Sequence, residues 1–98
     1  MRIITRKRLI EFAENHSESK NALDTWFHIM DKTNYSSFAD LRKTFPSADK
    51  LKNLTVFNIG GNKIRLITAI HYNTKCVYLR YVLTHAEYDK GNWKKDLK

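Results

Sequence analysis

Two arginines, a histidine and a tyrosine in the C-terminal half of the chain have side chains suited to chemistry on an anion. Arg65 and Arg80 lie in neighbouring stretches rich in Val, Ile, Thr and Tyr, and His85 and Tyr88 follow them. Adjacent guanidinium groups repel each other unless an anion lies between them, and residues 50–86 contain no Asp or Glu. An external anion is therefore expected, and the imidazole and phenol beside it suggest a phosphodiester site.

A three-stranded antiparallel meander is predicted to position these side chains. Most of the stretch from Leu54 to Asp89 is rich in β-branched and aromatic residues, and it is broken only at Gly60-Gly61 and Asn73-Thr74. This pattern is typical of strands joined by two-residue turns. Residues 84–89 are expected to leave the sheet in a helix-like turn. The predicted register pairs are Ile59 with Asn62 and Tyr72 with Lys75.

Alternation of side chains along the strands assigns each residue to one face of this sheet. The predicted core face comprises Phe57, Ile59, Ile64, Leu66, Thr68, Ile70, Val77, Leu79, Tyr81 and Leu83. The opposite face comprises Val56, Asn58, Arg65, Ile67, Ala69, His71, Cys76, Tyr78, Arg80 and Val82. In this register Arg65 lies diagonally across from Arg80, so both arginines would share one basic surface.

The N-terminal half is predicted to cover the sheet with helices. Residues Arg2–Thr5 suggest an edge strand, and Thr5 is predicted to cap a first helix that reaches about His16. A stronger helix is predicted from Ser17, its N-cap. Its apolar stripe comprises Ala22, Leu23, Trp26, Phe27 and Met30. At this spacing the two aromatic residues are assigned to the core rather than to a base-stacking platform.

The segments on either side of the meander are predicted to be a short helix, a linker and a loose tail. Ser37–Asp40 matches a capping box, and the helix it opens must end before Pro46. Residues 46–53 are predicted to be a linker. The basic tail after Asp89 is expected to lack regular structure until it binds a partner. Trp93 could stack on a base or pack on a partner, or it could pack back on its own domain.

Length and composition favour one cytoplasmic domain with a polyanionic partner. A chain of 98 residues, 42% hydrophobic, supports one modest core, and it shows neither an apolar run of membrane-spanning length nor a signal peptide. The net charge of +8, from 18 Lys and Arg against 10 Asp and Glu, favours nucleic acid over a membrane surface. Cys76 and four scattered histidines lack zinc-ligand spacing, so no metal or other cofactor is expected.

Two sequence blocks stand in an order and at a spacing that indicate a known family. They are F-N-I-G-G-N-x-x-R-L at residues 57–66 and T-H-x-E-Y-D at residues 84–89. On these blocks and on the helical N-terminal half, the chain resembles the HigB type of toxin in the RelE superfamily over essentially its whole length. The resemblance implies one α+β domain over residues 1–98, with two N-terminal helices packed on a twisted antiparallel sheet.

The resemblance also implies a function, partners and site residues. Such proteins are toxins of type II toxin-antitoxin systems that cut mRNA in the ribosomal A site without a metal, inhibit translation, and are silenced by a helix-turn-helix antitoxin of the HigA type. Motif positions carried over from the family are Asn58, Asn62, Arg65, His85, Glu87, Tyr88 and Asp89. Arg80 enters from the face argument above. Asn58 and Asn62 are assigned to RNA or phosphate binding, together with Lys63, Lys90 and Lys94.

Metal-free RNA cleavage by attack of the 2′-OH needs a base, an acid and cations, and it leaves a 2′,3′-cyclic phosphate and a 5′-OH. Arg65 and Arg80 are assigned to the phosphate, and His85 is assigned to proton transfer. Tyr88 is assigned to a phosphate hydrogen bond or to base stacking. The alternatives are a non-catalytic module that binds RNA or the ribosome, and a protein whose basic surface binds only an acidic partner.

Overall fold

Residues 1–61 and 63–96, the part of the chain that this computed structural model describes, form five strands and four α-helices. The strands are β1 (Arg2–Ile4), β2 (Asp49–Leu51), β3 (Leu54–Ile59), β4 (Ile64–His71) and β5 (Cys76–Thr84). The helices are α1 (Lys7–Asn15), α2 (Lys20–Lys32), α3 (Phe38–Thr44) and α4 (His85–Lys90), with short 3-10 helices at Ser17–Ser19 and Asn92–Asp96. The predicted α+β class is confirmed. None of the helices in these ranges has the length and apolarity needed to cross a bilayer.

The strands form one mixed sheet in the order β1-β5-β4-β3-β2. Strands β3, β4 and β5 are the predicted antiparallel meander. Strand β1 is the predicted edge strand, and it pairs with β5 in parallel. The linker predicted at residues 46–53 is wrong in part, because β2 pairs with the outer edge of β3. This strand of three residues depends on hydrogen bonds from its neighbour more than on its own composition.

Helices α1, α2 and α3 cover one face of the sheet, and the main core lies between the two layers. Its fully buried side chains include Leu23, Trp26, Met30, Leu41, Phe57, Leu66 and Val77. Trp26 contacts Phe57 edge to face, with ring centroids 5.3 Å apart, and Phe27 packs on the same cluster while partly exposed. The assignment of this aromatic pair to the core is confirmed.

The helix starts show where local sequence signals were overruled. Thr5 has a φ of +67°, and its hydroxyl donates to the carbonyl oxygen of Leu79 in β5 at 3.1 Å, so it does not cap α1. Ser17 opens a 3-10 turn instead of capping α2. The cap predicted at Ser37 is confirmed, since its hydroxyl oxygen accepts from the Asp40 backbone N–H at 3.1 Å.

Candidate functional site

The loop between β3 and β4 meets the first residue of α4. Ile59 pairs with Ile64, so the loop has four residues and the predicted pairing of Ile59 with Asn62 is wrong. Its carbonyl at Lys63 accepts from the His85 backbone N–H at 3.0 Å. This bond joins the first motif block to the second. Asn62, a predicted RNA contact, lies outside the described residues.

The turn from β5 into α4 is fixed by a complete capping box. The Thr84 hydroxyl oxygen accepts from the Glu87 N–H at 3.2 Å, and the Glu87 carboxylate accepts from the Thr84 N–H at 2.9 Å. Two N-terminal donors of α4 are thereby satisfied. Gly91 ends the helix with a φ of +75°, a conformation that costs glycine little. The helix-like turn predicted at residues 84–89 is confirmed, and Glu87 has a capping role.

Helix α4 presents His85 at its first position, with Tyr88 and Asp89 about one turn later. Residues three and four apart on a helix are neighbours, and the His85 Nε2 atom lies 3.5 Å from an Asp89 carboxylate oxygen. Both side chains are exposed. The imidazole is therefore open to a substrate, with a carboxylate close enough to orient it.

Arg65 and Tyr88 are brought together as the two motif blocks predict. The Arg65 guanidinium carbon lies 5.3 Å from the centroid of the Tyr88 ring, which is within the range of a cation-π contact. In the sheet, Arg65 stands between Asn58 on β3 and Leu83 on β5. Its backbone is thus held in the middle of three strands, while its head group reaches α4.

Trp93 contacts Tyr88 through both its ring and its indole N–H. The two rings stack with centroids 5.1 Å apart and planes 18° apart, and the Trp93 indole N–H donates to the Tyr88 carbonyl oxygen at 3.1 Å. Trp93 is only 3% exposed and packs with Val56 and Ile67 on the sheet face opposite the helices. The expectation of a tail without regular structure is wrong through Asp96. Of the interpretations of Trp93, packing on its own domain is the one observed.

Strand β5 contains a bulge that alternation did not predict. Thr68 pairs with Leu79, but its neighbour Ile67 pairs with Tyr81, so the register skips Arg80. One extra residue on a strand shifts every later side chain to the other face. The second turn was predicted correctly, because His71 lies opposite Cys76 in the register expected there.

The bulge corrects the predicted faces and the predicted arginine pair. Tyr81 and Leu83 lie on the face opposite the helices, where they pack against the Trp93 cluster, and Val82 packs on the main core. Arg65 lies opposite Leu83, which is three residues beyond Arg80. At about 3.3 Å per residue, this spacing separates the two backbones by about 10 Å along the strand. The predicted diagonal arrangement of Arg65 and Arg80 is therefore wrong.

The remaining candidate residues lie on β3, on the loop between β3 and β4, and on α4 and the 3-10 helix after it. The Asn58 amide donates to the Ser47 carbonyl oxygen at 3.3 Å, which ties β3 to the start of β2. Lys63 is exposed beside His85, and Lys90 and Lys94 are exposed on α4 and the following 3-10 helix. Sequence reasoning missed the supporting role of Trp93, although Gly91 two residues earlier signalled a helix end after which the chain folds back.

Carboxylates near this cationic surface are already engaged. Glu87 caps α4, and Asp89 lies beside His85. Within the described part of the chain, no three His, Cys, Asp or Glu side chains are grouped as a metal-binding site requires. The arrangement places an exposed imidazole with a nearby carboxylate on α4 and an arginine over the Tyr88 ring.

Comparison with known proteins decides the family. Residues 19–91, which contain both motif blocks, match the family described as HigB_toxin, RelE-like toxic component of a toxin-antitoxin system. The chain belongs to the HigB toxin family. The resemblance stated above is thus confirmed, and the RelE-like architecture agrees with the mixed sheet and its helical layer.

Relatives in this HigB family are similar over nearly their whole length. The chain is 35% identical over 92 residues to the mRNA interferase toxin HigB of Escherichia coli strain K12, which is 91% of this chain and 88% of the relative. The mRNA interferase HigB of Shigella flexneri gives the same values. The mRNA interferase HigB of Escherichia coli O6:H1 is 30% identical over 93 residues, 92% of this chain and 90% of the relative.

Proposed function

We propose that this HigB-family toxin is an endoribonuclease that cleaves mRNA during translation. The observation that supports this most directly is the meeting of Arg65 with Tyr88 at 5.3 Å on the helix that begins with His85. An arginine that can bind phosphate, a tyrosine hydroxyl and a histidine that can carry a proton are thereby brought together from two motif blocks that are distant in sequence. The names of the relatives, all mRNA interferases, support the same conclusion.

In the proposed reaction the 2′-oxygen of the RNA attacks the adjacent phosphorus and the 5′-oxygen leaves. The 2′-OH loses a proton, the 5′-oxygen gains one, and the products are a 2′,3′-cyclic phosphate and a 5′-OH. Arg65 binds the non-bridging oxygens, whose charge grows in the transition state. His85 shuttles a proton, since an imidazole can both accept and donate one through its two ring nitrogens. Asp89 orients the imidazole, and Tyr88 donates a hydrogen bond to the phosphate.

Arg80 and the lysines have a different place in this proposal. The bulge separates Arg80 from Arg65 along β5, so Arg80 binds a flanking phosphate rather than the scissile one. Lys63, Lys90 and Lys94 contribute charge along the path of the RNA backbone, and Asn58 and Asn62 are proposed to contact the RNA. The proposed setting is the ribosomal A site in the cytoplasm, and the proposed silencing partner is a helix-turn-helix antitoxin.

Primer extension on a defined mRNA, with and without ribosomes in a purified translation system, tests this proposal. We expect cuts within codons only when ribosomes translate, and fragments that carry a 5′-OH. The variant His85→Ala should lower cleavage by about a hundred to ten thousand-fold while ribosome binding persists. His28→Ala is the matched control, because His28 is an exposed histidine on α2. Intact message under all conditions would favour a non-catalytic RNA-binding module instead.

A further inference from the structure

A cavity lies beside the proposed catalytic residues, between the end of β5 and the C-terminal segment. Its volume is about 320 Å³, at the lower end of the range for small-molecule pockets. Its walls are Tyr81, Leu83 and Trp93, and its rim carries Glu87, Lys90, Asn92 and Lys95. The Glu87 carboxylate is engaged by the Thr84 N–H. Of the lining residues, Lys90 was predicted from the sequence to contact an RNA phosphate and Trp93 was considered for base stacking; the others were not predicted to contact RNA.

The lining combines the three kinds of group that recognise a nucleotide. Tyr81 offers an aromatic ring on which a base can stack, and stacking of this kind is worth about 1–3 kcal/mol per base. The Asn92 amide has both donors and an acceptor, so it can read the edge of a base. Lys90 and Lys95 are exposed cations that suit the adjoining phosphate.

Position relates this cavity to the reaction. Its wall residue Trp93 stacks on Tyr88, and α4 lines it with Glu87 and Lys90, which lie on the side of the helix turned away from Tyr88. A nucleotide seated here would therefore contact the same indole that holds the proposed catalytic tyrosine. We propose that the cavity is a base-recognition subsite for the RNA nucleotide flanking the scissile phosphate, and that it selects where in a codon the chain cuts. This inference rests on the proposed nuclease function.

The first test is the sequence profile of cleavage. Tyr81→Leu and Asn92→Ala should redistribute the base found next to the cut by about tenfold or more, while cleavage itself continues. Tyr81→Phe keeps the ring and should keep the wild-type profile, which separates stacking from loss of folding. Lys7→Ala on α1, an exposed lysine 3.6 Å from Glu11, is the control. An unchanged profile in both Tyr81→Leu and Asn92→Ala would overturn the subsite.

The second test is independent of cleavage. A short RNA with a 2′-deoxy nucleotide at the cut site lacks the attacking hydroxyl, so its binding to the full chain can be titrated against salt. Lys95→Ala should weaken binding and reduce the slope of log K against log salt by about 0.7, the value for one contact with single-stranded nucleic acid. If the wild type binds this RNA but cuts no message, the nuclease proposal fails. A Lys95→Ala slope equal to wild type overturns the subsite.

Discussion

The Tyr88 ring and the Trp93 indole stack nearly parallel, 5.1 Å apart and 18° from coplanar. The same indole holds the Tyr88 carbonyl oxygen through its N–H. Both the side chain and the backbone of Tyr88 are thus attached to a buried residue, and the Arg65 guanidinium lies over the ring so held. Through this stack, the sheet face opposite the helices determines the position of the site.

Replacing Trp93 should affect activity and stability to different degrees. Trp93→Ala leaves a cavity in the smaller core and should lower the free energy of unfolding by about 3–5 kcal/mol. Trp93→Phe keeps a ring for stacking but loses the N–H bond, which is worth about 1 kcal/mol. Denaturant unfolding and cleavage rates measured on both variants check this. If Trp93→Phe lowers stability but leaves kcat and KM at wild-type values, Trp93 has no positioning role.

The two arginines should respond differently to replacement by lysine. Arg65→Lys keeps the charge but loses the planar fork and its contact with Tyr88, so we expect cleavage to fall by about a hundredfold, the usual cost of one transition-state donor. Arg80→Lys keeps the positive charge that binds a flanking phosphate, so the cleavage rate should fall by less than about tenfold. Single-turnover cleavage of a defined message compares the two. Equal losses would mean that both arginines serve the same phosphate.

Gly61 allows a test of the loop that holds His85. Its φ is +63°, and a Cβ atom added there would meet nothing within 4 Å, so only backbone conformation opposes a side chain. Gly61→Ala should lower the free energy of unfolding by about 1–2 kcal/mol. Gly61→Asn should cost less, because asparagine adopts this conformation more readily. Thermal unfolding of the pair measures the difference, and equal effects would contradict a conformational origin.

The capping box should contribute measurably to α4. Thr84→Ala removes the acceptor for the Glu87 N–H and should cost about 0.5–2 kcal/mol of stability. Thr84→Ser retains the hydroxyl and should restore most of it. Because His85 follows the cap directly, hydrogen exchange at residues 85–90 should increase in Thr84→Ala and stay at wild-type rates in Thr84→Ser. Unchanged exchange in Thr84→Ala would show that packing alone holds the helix.

The raised pKa of the Tyr72 hydroxyl should make the protein less stable at alkaline pH. Burial raises the pKa of its hydroxyl, so the unfolded chain releases this proton first, at about pH 10. Above that pH the unfolded state binds fewer protons than the folded state, and the free energy of unfolding must fall. Tyr72→Phe should flatten this fall between about pH 9 and pH 11. Tyr78→Phe, at an exposed tyrosine, should leave it unchanged, and identical slopes in the two variants would contradict the assignment.

The three strands of the meander could be predicted from the sequence better than the edges of the sheet. Alternating β-branched residues and turn dipeptides located β3, β4 and β5, and helical spacing placed Trp26 in the core. Two other features depend on contacts between distant segments. Thr5 bonds to β5 instead of capping α1, and β2 exists because β3 offers it partners. Local sequence patterns do not indicate such contacts.

The site, too, could be predicted from the sequence only in part. The meeting of Arg65 with Tyr88 could be anticipated from two motif blocks, whereas the skipped residue in β5 could not. Bulges are set by how a strand must bend to fit its neighbours, and strict alternation therefore misplaced Tyr81 and Leu83. The same error placed Arg80 too close to Arg65. The aromatic support from Trp93 was left open because composition alone made the tail look unstructured.

The extra residue in β5 also bears on how this gene can change without losing the protein. Deleting Arg80 would restore regular pairing, while Tyr81–Thr84 would keep their partners on β4 and the faces they have now. Both cores would stay filled, and α4 would still begin beside the loop at Lys63. A three-nucleotide deletion could thus yield a chain that still folds but lacks the cation proposed to bind a flanking phosphate. Reading frame alone is therefore a poor guide to whether a homologue of this toxin keeps all of its proposed RNA contacts.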